Sequence, residues 1–290
     1  SRVSPCGLNR YGNEATDEEK LEFIGLLKER FGPGFDTGGL SRDELLRIGS
    51  HYIAEAESGW DFTPRFDGRC EDFCPVDLNS NLYLYEMNFS FFASELGDGA
   101  SARRWVKAAA RRNRLMHKLM RDGKSGLFFD YDHVNDRRSD VLSAAVFSLL
   151  FSGAADRRDA AAIAGTLCAD NLPLSPDAPG DPFRLEYPHG ISACAYGDYR
   201  RSCQWAYPNG WAPLQYLAVK GLLRYGYDAD ARRIAVKYLD TVVSTFAETG
   251  NLWEKYNAVE GNINVSNEYE MPTMLGWTAG TFRVLSELLR

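Results

Sequence analysis

Apolar residues return every three or four positions along most of this chain, the period of a helix with one apolar face. Over 77–96, Leu78, Leu82, Tyr85, Phe89 and Phe92 fall on one such stripe and mark a long helix. Thr16, followed by Asp17, Glu18 and Glu19, reads as the N-cap of a helix over 17–31, and Gly32-Pro33-Gly34 stops it. Ser41 caps the next helix, to about Glu57, with Glu44 three residues on completing a capping box. Further helices are expected over 101–121, 140–151, 156–170, 212–225, 228–247 and 272–289. Alternating strand patterns are nearly absent, and GLFFDYD (126–132) is the best candidate for a short extended piece. About nine helices without parallel-sheet runs predict an all-α protein. No linker divides the chain, so 1–290 reads as a single domain.

Long polar and aromatic connections recur between the helices, at 58–76, 123–137, 171–211 and 248–271. Loops of that length in a compact domain are usually functional, and rings argue against disorder. Helices alternating with long loops gathered at one end describe an α/α toroid whose loops build a deep pocket.

Composition narrows the chemistry. With 290 residues, 44% hydrophobic and 25% charged, the chain is an ordinary globular one. A net charge of −7 argues against nucleic acid as a partner, since phosphate binding needs clustered Lys and Arg. The Arg doublets at 103, 111, 157, 200 and 232 read as solvated helix faces. No stretch reaches the roughly 18 apolar residues of a membrane span, so no membrane partner is expected. The first twenty residues carry no signal-peptide core, but a processed chain would look the same, which leaves the compartment open. Six cysteines and four scattered histidines show no zinc-ligand pairing and no HExxH, so neither metal nor cofactor is expected. Aromatics make up 13% of the chain, many beside Gly, Asn, Asp or Pro. Rings beside carboxylates and amides suit a small carbohydrate, whose C–H faces stack while its hydroxyls hydrogen-bond; an aromatic-rich core is the alternative.

Three segments carry candidate chemistry. In ESGWDFTPRF (57–66), Asp61 lies between Trp60 and Phe62, and burial against rings raises a carboxyl's pKa toward that of a general acid. The other reading is a turn cap paired with Arg65. LWEKYN (252–257) places Glu254 beside two more rings, and NEYEMP (267–272) runs into GWTAG (276–280). With QWAYPNGWAP (204–213) they form a set of carboxylates in aromatic loops, far apart in sequence. Glycoside hydrolysis needs one protonated and one ionised carboxyl flanking the scissile bond: about 6.5–9.5 Å apart for inversion, about 5–5.5 Å for retention.

QWAYPNGWAP resembles the trehalase signature Q-W-D-x-P-x-G-W-x-P. ESGWDFTPRF resembles ESGWDFSSRW of the same family, and PVDLNSNLY (75–83) its P-V-D-L-N-x-x-L-Y. EKYN (254–257) is similar to E-K-Y-D, and NEYEMPTMLGWTAG (267–280) to G-E-Y-x-x-Q-x-G-F-G-W-T-N-G. The segments occur in the family's order from about 57 to 282. The resemblance implies an (α/α)6 barrel, possibly incomplete in this chain, and hydrolysis of trehalose or a related α-glucoside with inversion. It implies Asp61 as general acid and Glu254 as the base that activates water. Gln204, Trp205 and Glu268 would line the glucose subsite with Trp211 beside them, while Trp60 and Arg65 would hold the acid loop.

The departures matter as much. Ala206 stands where the signature has aspartate, and the family's N-terminal P-R-P-E-S and P-G-G-R-F segments have no match. The chain is then the C-terminal portion of a toroid or a shortened homologue. A hydrolase of another α-glucoside, of the glucosylglycerate type, and an inert sugar-binding homologue are the alternatives.

Overall fold

A computed structural model describes residues 2–167, 183–197, 199, 203–265, 267, 269–273 and 276–289. Its helices are α1 (Asp17–Phe31), α2 (Arg42–Ser58), α3 (Val76–Glu95), α4 (Gly99–Leu119), α5 (Phe147–Ser152), α6 (Arg157–Gly165), α7 (Ala212–Arg224), α8 (Asp228–Thr249) and α9 (Gly276–Glu287). Both capping boxes form: Thr16 and Ser41 accept from the backbone N–H of Glu19 and Glu44, whose carboxylates bond back to the caps.

Two helices start later than the hydrophobic period suggests. Expected over 140–151, α5 begins at Phe147, because residues before it pair with a distant segment. Ser143 bridges Cys194, Ala144 N–H donates to Ala193 O, and Ala195 N–H donates to Leu142 O. Expected over 272–289, α9 begins at Gly276, and Thr273 bridges Trp253 instead. The last part of the expected helix 156–170 lies outside the described residues.

The helices are arranged as a row with a backing layer. Helices α3, α5, α7 and α9 are successive neighbours, α4 packs on α3, and α8 packs on α7 and α9. This alternation is the layout of an α/α toroid. Gly221 permits the close approach of α7 to α5, since a Cβ there would lie 2.7 Å from the Leu150 Cβ. The main core lies between these helices, with Met116, Phe128, Phe147, Val219, Ile234 and Tyr256 fully enclosed. A second, smaller core holds Ile24, Leu27, Tyr52 and Phe62 where α1 meets α2.

A 3.6-residue apolar stripe ordinarily faces a core. On α3 the C-terminal part, from Tyr85 on, does not: Tyr85, Phe89 and Phe92 are 54%, 48% and 54% exposed. Helices α4 and α5 occupy its other sides.

Strands are few and short. β1 (Phe73–Cys74), β2 (Tyr131–Asp132) and β3 (Arg137–Arg138) form one antiparallel ladder, so the extended piece expected over 126–132 is realised at its end. β4 (Glu186–Tyr187) pairs with β5 (Gly190–Ile191), and β6 (Asn209–Trp211) with β7 (Lys255–Asn257). The last pairing brings QWAYPNGWAP against EKYN: Gly210 faces Tyr256 and Trp211 faces Lys255. A Cβ on Gly210 would sit 2.9 Å from the Ile191 carbonyl oxygen, so the close pairing needs glycine there.

Candidate active site

The loop carrying Asp61 is held on three sides. Gly59, at φ +75°, ends α2 in the left-handed region that glycine adopts without cost. Phe62 takes φ +60°, a conformation that costs a non-glycine residue about 1–3 kcal/mol and persists only where neighbours enforce it. Here Thr63 N–H donates to Glu55 Oε1 at 2.8 Å, Trp205 N–H donates to Phe62 O at 3.2 Å, and Thr63 Oγ1 donates to Trp205 O at 3.2 Å. The Phe62 ring packs edge-on against Phe31. The acid loop is thus bonded to the loop of Gln204 and Trp205.

Beneath it, Arg65 is fully buried and holds two carboxylates. Its Nε and Nη2 donate to Asp130 at 2.8 Å each, and its Nη2 and Nη1 donate to Asp77 at 2.8 and 3.3 Å. The guanidinium carbon lies 4.3 Å from the centre of the Trp60 ring. Arg65 therefore lies behind the acid loop, its guanidinium engaged by the two carboxylates and the Trp60 ring.

The candidate carboxylates are joined through two side chains. Gln204 Nε2 donates to Asp61 Oδ2 at 2.9 Å, and Lys255 Nζ donates to Gln204 Oε1 at 3.3 Å and to Glu254 Oε2 at 2.8 Å. The Tyr269 hydroxyl lies 2.8 and 2.9 Å from the two Glu254 oxygens. Lys255 is wholly buried, with Nζ 4.7 Å from the Trp211 ring centre and 5.1 Å from that of Tyr269. Two α9 side chains fix the backbone here, Trp277 Nε1 donating to Glu254 O and Thr278 Oγ1 to Trp253 O.

Burial is the main cause that raises the Asp61 pKa above the ordinary aspartate value, with a further rise from the Glu254 charge; the Gln204 hydrogen bond and Arg30 act against it. Glu55, entirely buried below, is pushed up to about 8, chiefly by burial. Its Oε2 has no hydrogen-bond partner, which suits a protonated carboxyl better than a charged one.

Of the residues singled out in the sequence, the structure gathers Trp60, Asp61, Arg65, Gln204, Trp205, Trp211 and Glu254. Glu268 lies outside the described residues. Trp205 and Trp211 stack at 3.9 Å between centroids, 3° from parallel, and Trp60 leans on Trp205 at 5.1 Å. Trp211 was expected to touch sugar, but it is only 1% exposed. Trp205 covers one face, and the Trp211 indole N–H donates to Gln204 O at 3.1 Å. This geometry makes it a support for Gln204.

Sequence reasoning missed Lys255, Tyr269, Glu55 and Arg30. The first two lie inside quoted segments, but their pairing with Glu254 is tertiary. Arg30 extends from α1 over Phe62 and Tyr269, 5.2 and 5.9 Å from their ring centres. A cavity of about 250 Å³ lies around Glu55, Thr63 and Arg65, and neither Asp61 nor Glu254 lines it. His117, Asp156 and Asp159 converge closely enough to ligate a cation. Asp159, however, is already paired with His117 and Arg121 at 2.7 Å each, and Asp156 caps α6.

The family model described as Trehalase matches residues 50–289. The cytosolic neutral trehalase of Beauveria bassiana is 32% identical across 89% of this chain and 38% of its own length. The periplasmic trehalase of Xanthomonas oryzae pv. oryzae is 34% identical across 81% and 40%. The chain thus spans about two fifths of the length of these relatives. Neutral trehalase Nth1 from Saccharomyces cerevisiae superposes with a TM-score of 0.76 at 28% identity, covering 100% of this chain and 54% of that one. The GH63 mannosylglycerate hydrolase from Thermus thermophilus shares the fold, with a TM-score of 0.51 at 19% identity across 92% of this chain and 58% of its own.

Proposed function

The chain belongs to the trehalase family, and from that premise we propose that it carries the catalytic carboxylates of an inverting glycoside hydrolase acting on trehalose or a related α-glucoside. The observation that carries this reading is the hydrogen-bonded path Asp61–Gln204–Lys255–Glu254, which joins two carboxylates from distant motifs in one site.

Asp61 is the general acid. Burial keeps its proton available, and that proton passes to the glycosidic oxygen as the bond to the anomeric carbon breaks. Glu254 is the base. A water on the opposite face of the sugar ring gives it a proton and attacks the anomeric carbon, inverting its configuration. Lys255 and Tyr269 are positioning residues that fix the Glu254 carboxylate by donating to it. Gln204, fully enclosed, orients Asp61 from behind the glucose subsite, which the resemblance assigns to Trp205 and Glu268. Trp60, Arg65 and Trp211 support these groups. The whole of 1–290 acts as one α/α-toroid catalytic unit, or as the C-terminal portion of one.

Ala206 favours a second reading of the substrate. It is buried in the turn where the trehalase signature has aspartate, so one charged contact is missing. A related α-glucoside that does not require that contact is the second candidate substrate. A panel of trehalose, maltose, kojibiose and glucosylglycerate distinguishes the two, with released glucose as the readout. Trehalose turnover at the highest kcat/KM supports the first reading and preference for another glucoside the second. Absence of turnover on every member would favour an inert sugar-binding homologue.

A further inference from the structure

Two thiols outside the carbohydrate site face each other. The Sγ atoms of Cys6 and Cys74 are 3.8 Å apart, with the Ser4 hydroxyl 3.0 Å from the first and 3.3 Å from the second. Cys6 sits in the tight turn closed by Ser4 N–H to Leu8 O and Gly7 N–H to Ser4 O, and is half-buried. Cys74 is fully buried in β1.

We propose that Cys6 and Cys74 are a redox site, forming a reversible disulfide by exchange with a small-molecule disulfide such as oxidised glutathione. A disulfide sets its sulfurs about 2.05 Å apart, so closing this pair moves them by less than about 2 Å. The inference is independent of the glycoside-hydrolase reading.

The two thiols have distinct roles. Cys6 is the one within reach of solvent, and its hydrogen bond with Cys74 lowers its pKa to about 5, whereas that bond and burial raise Cys74. Cys6 is therefore the attacking thiolate. It bonds to one sulfur of the small disulfide and displaces the other half as a thiolate. Cys74 then loses its proton and attacks the Cys6 sulfur, and the second half leaves. Two protein thiols become one disulfide and one small disulfide becomes two thiols, so electrons and protons balance.

The bond would clasp one strap to the acid loop's foundations. Asn9 N–H donates to Asn79 Oδ1 and Asn79 Nδ2 to Asn9 O, while Gly12 N–H donates to Glu57 Oε2 at the end of α2. Cys74 precedes Val76, whose N–H donates to Asp130, and Asp77, both bonded into the Arg65 cluster.

The test equilibrates the protein in glutathione buffers from reducing to oxidising, then alkylates, digests and maps by mass spectrometry. The expected result is a Cys6–Cys74 cross-linked peptide, lighter by two hydrogens, that dithiothreitol removes. The oxidised protein should melt about 5 °C or more higher, because the link closes a long loop. Cys74→Ser should leave Cys6 as a mixed disulfide with glutathione, and Cys70→Ser should leave the cross-link intact. Recovery of Cys6 and Cys74 in separate peptides under oxidising conditions, or of Cys6 linked to another cysteine, would overturn the assignment.

Discussion

Gln204 and Asp61, 143 residues apart in sequence, meet at 2.9 Å, the amide of one donating to the carboxylate of the other. The same amide accepts from Lys255 through its oxygen. Gln204 therefore touches one half of the proposed acid–base pair, Asp61, and reaches the other, Glu254, through Lys255.

Replacing it should misplace both. Gln204→Leu removes the donor to Asp61 and the acceptor for Lys255 in a fully buried position. We expect kcat to fall about 100-fold, the size of effect that a misplacement of about 1 Å produces. Steady-state kinetics alongside circular dichroism test this; near-full activity in a folded variant would remove Gln204 from the site.

The Asp61 proton sets a pH limit. A general acid works only while protonated, and burial raises this carboxyl above the ordinary aspartate pKa near ~3.9. The alkaline limb of kcat/KM should therefore lie above that value, with activity lost as pH rises through it. Asp61→Asn, which has no proton to give, should abolish turnover while keeping the melting midpoint. A wild-type limb at the ordinary aspartate pKa would contradict the assignment.

Glu55 makes stability pH-dependent. Its folded pKa of about 8 exceeds the ordinary glutamate value near ~4.3, so folding takes up a proton between them. Its contribution is fully present below the lower value and is lost as pH rises through the upper one. Glu55→Gln keeps an acceptor for Thr63 N–H but carries no titratable proton. Across pH ~5 to ~9, the wild-type melting midpoint should fall relative to that of Glu55→Gln. A constant difference would show that Glu55 does not titrate in this window.

Arg65 holds two buried carboxylates beneath the acid loop. Arg65→Met leaves Asp77 and Asp130 buried without their cation, which should lower unfolding free energy by about 3–5 kcal/mol. Denaturant unfolding measures it. A loss below about 1 kcal/mol would mean that the cluster contributes little to stability.

Much of this molecule was legible because much of it is local. The capping boxes at Thr16 and Ser41 depend on residues three apart, so α1 and α2 read correctly from sequence. Segment 140–146 did not, since its partners lie at 193–195, and tertiary pairing overrode the apolar period. The stripe on α3 identified a helix but not its surroundings. At the candidate site Asp61 and Glu254 stood out as carboxylates beside rings, whereas Gln204 and Trp205 were singled out by the resemblance of QWAYPNGWAP to the family signature. Lys255, Tyr269 and Glu55 did not, because their roles depend on contacts that β6–β7 pairing and the folded acid loop create.

The central claim is that Asp61 and Glu254 act as an inverting acid–base pair, and proton NMR of the first glucose released from trehalose tests it most directly. Attack by water at one anomeric carbon of this α,α-linked sugar should yield α- and β-glucose in equal amounts before mutarotation, with Glu254→Gln releasing neither. Early formation of α-glucose alone would mean retention and would contradict the account.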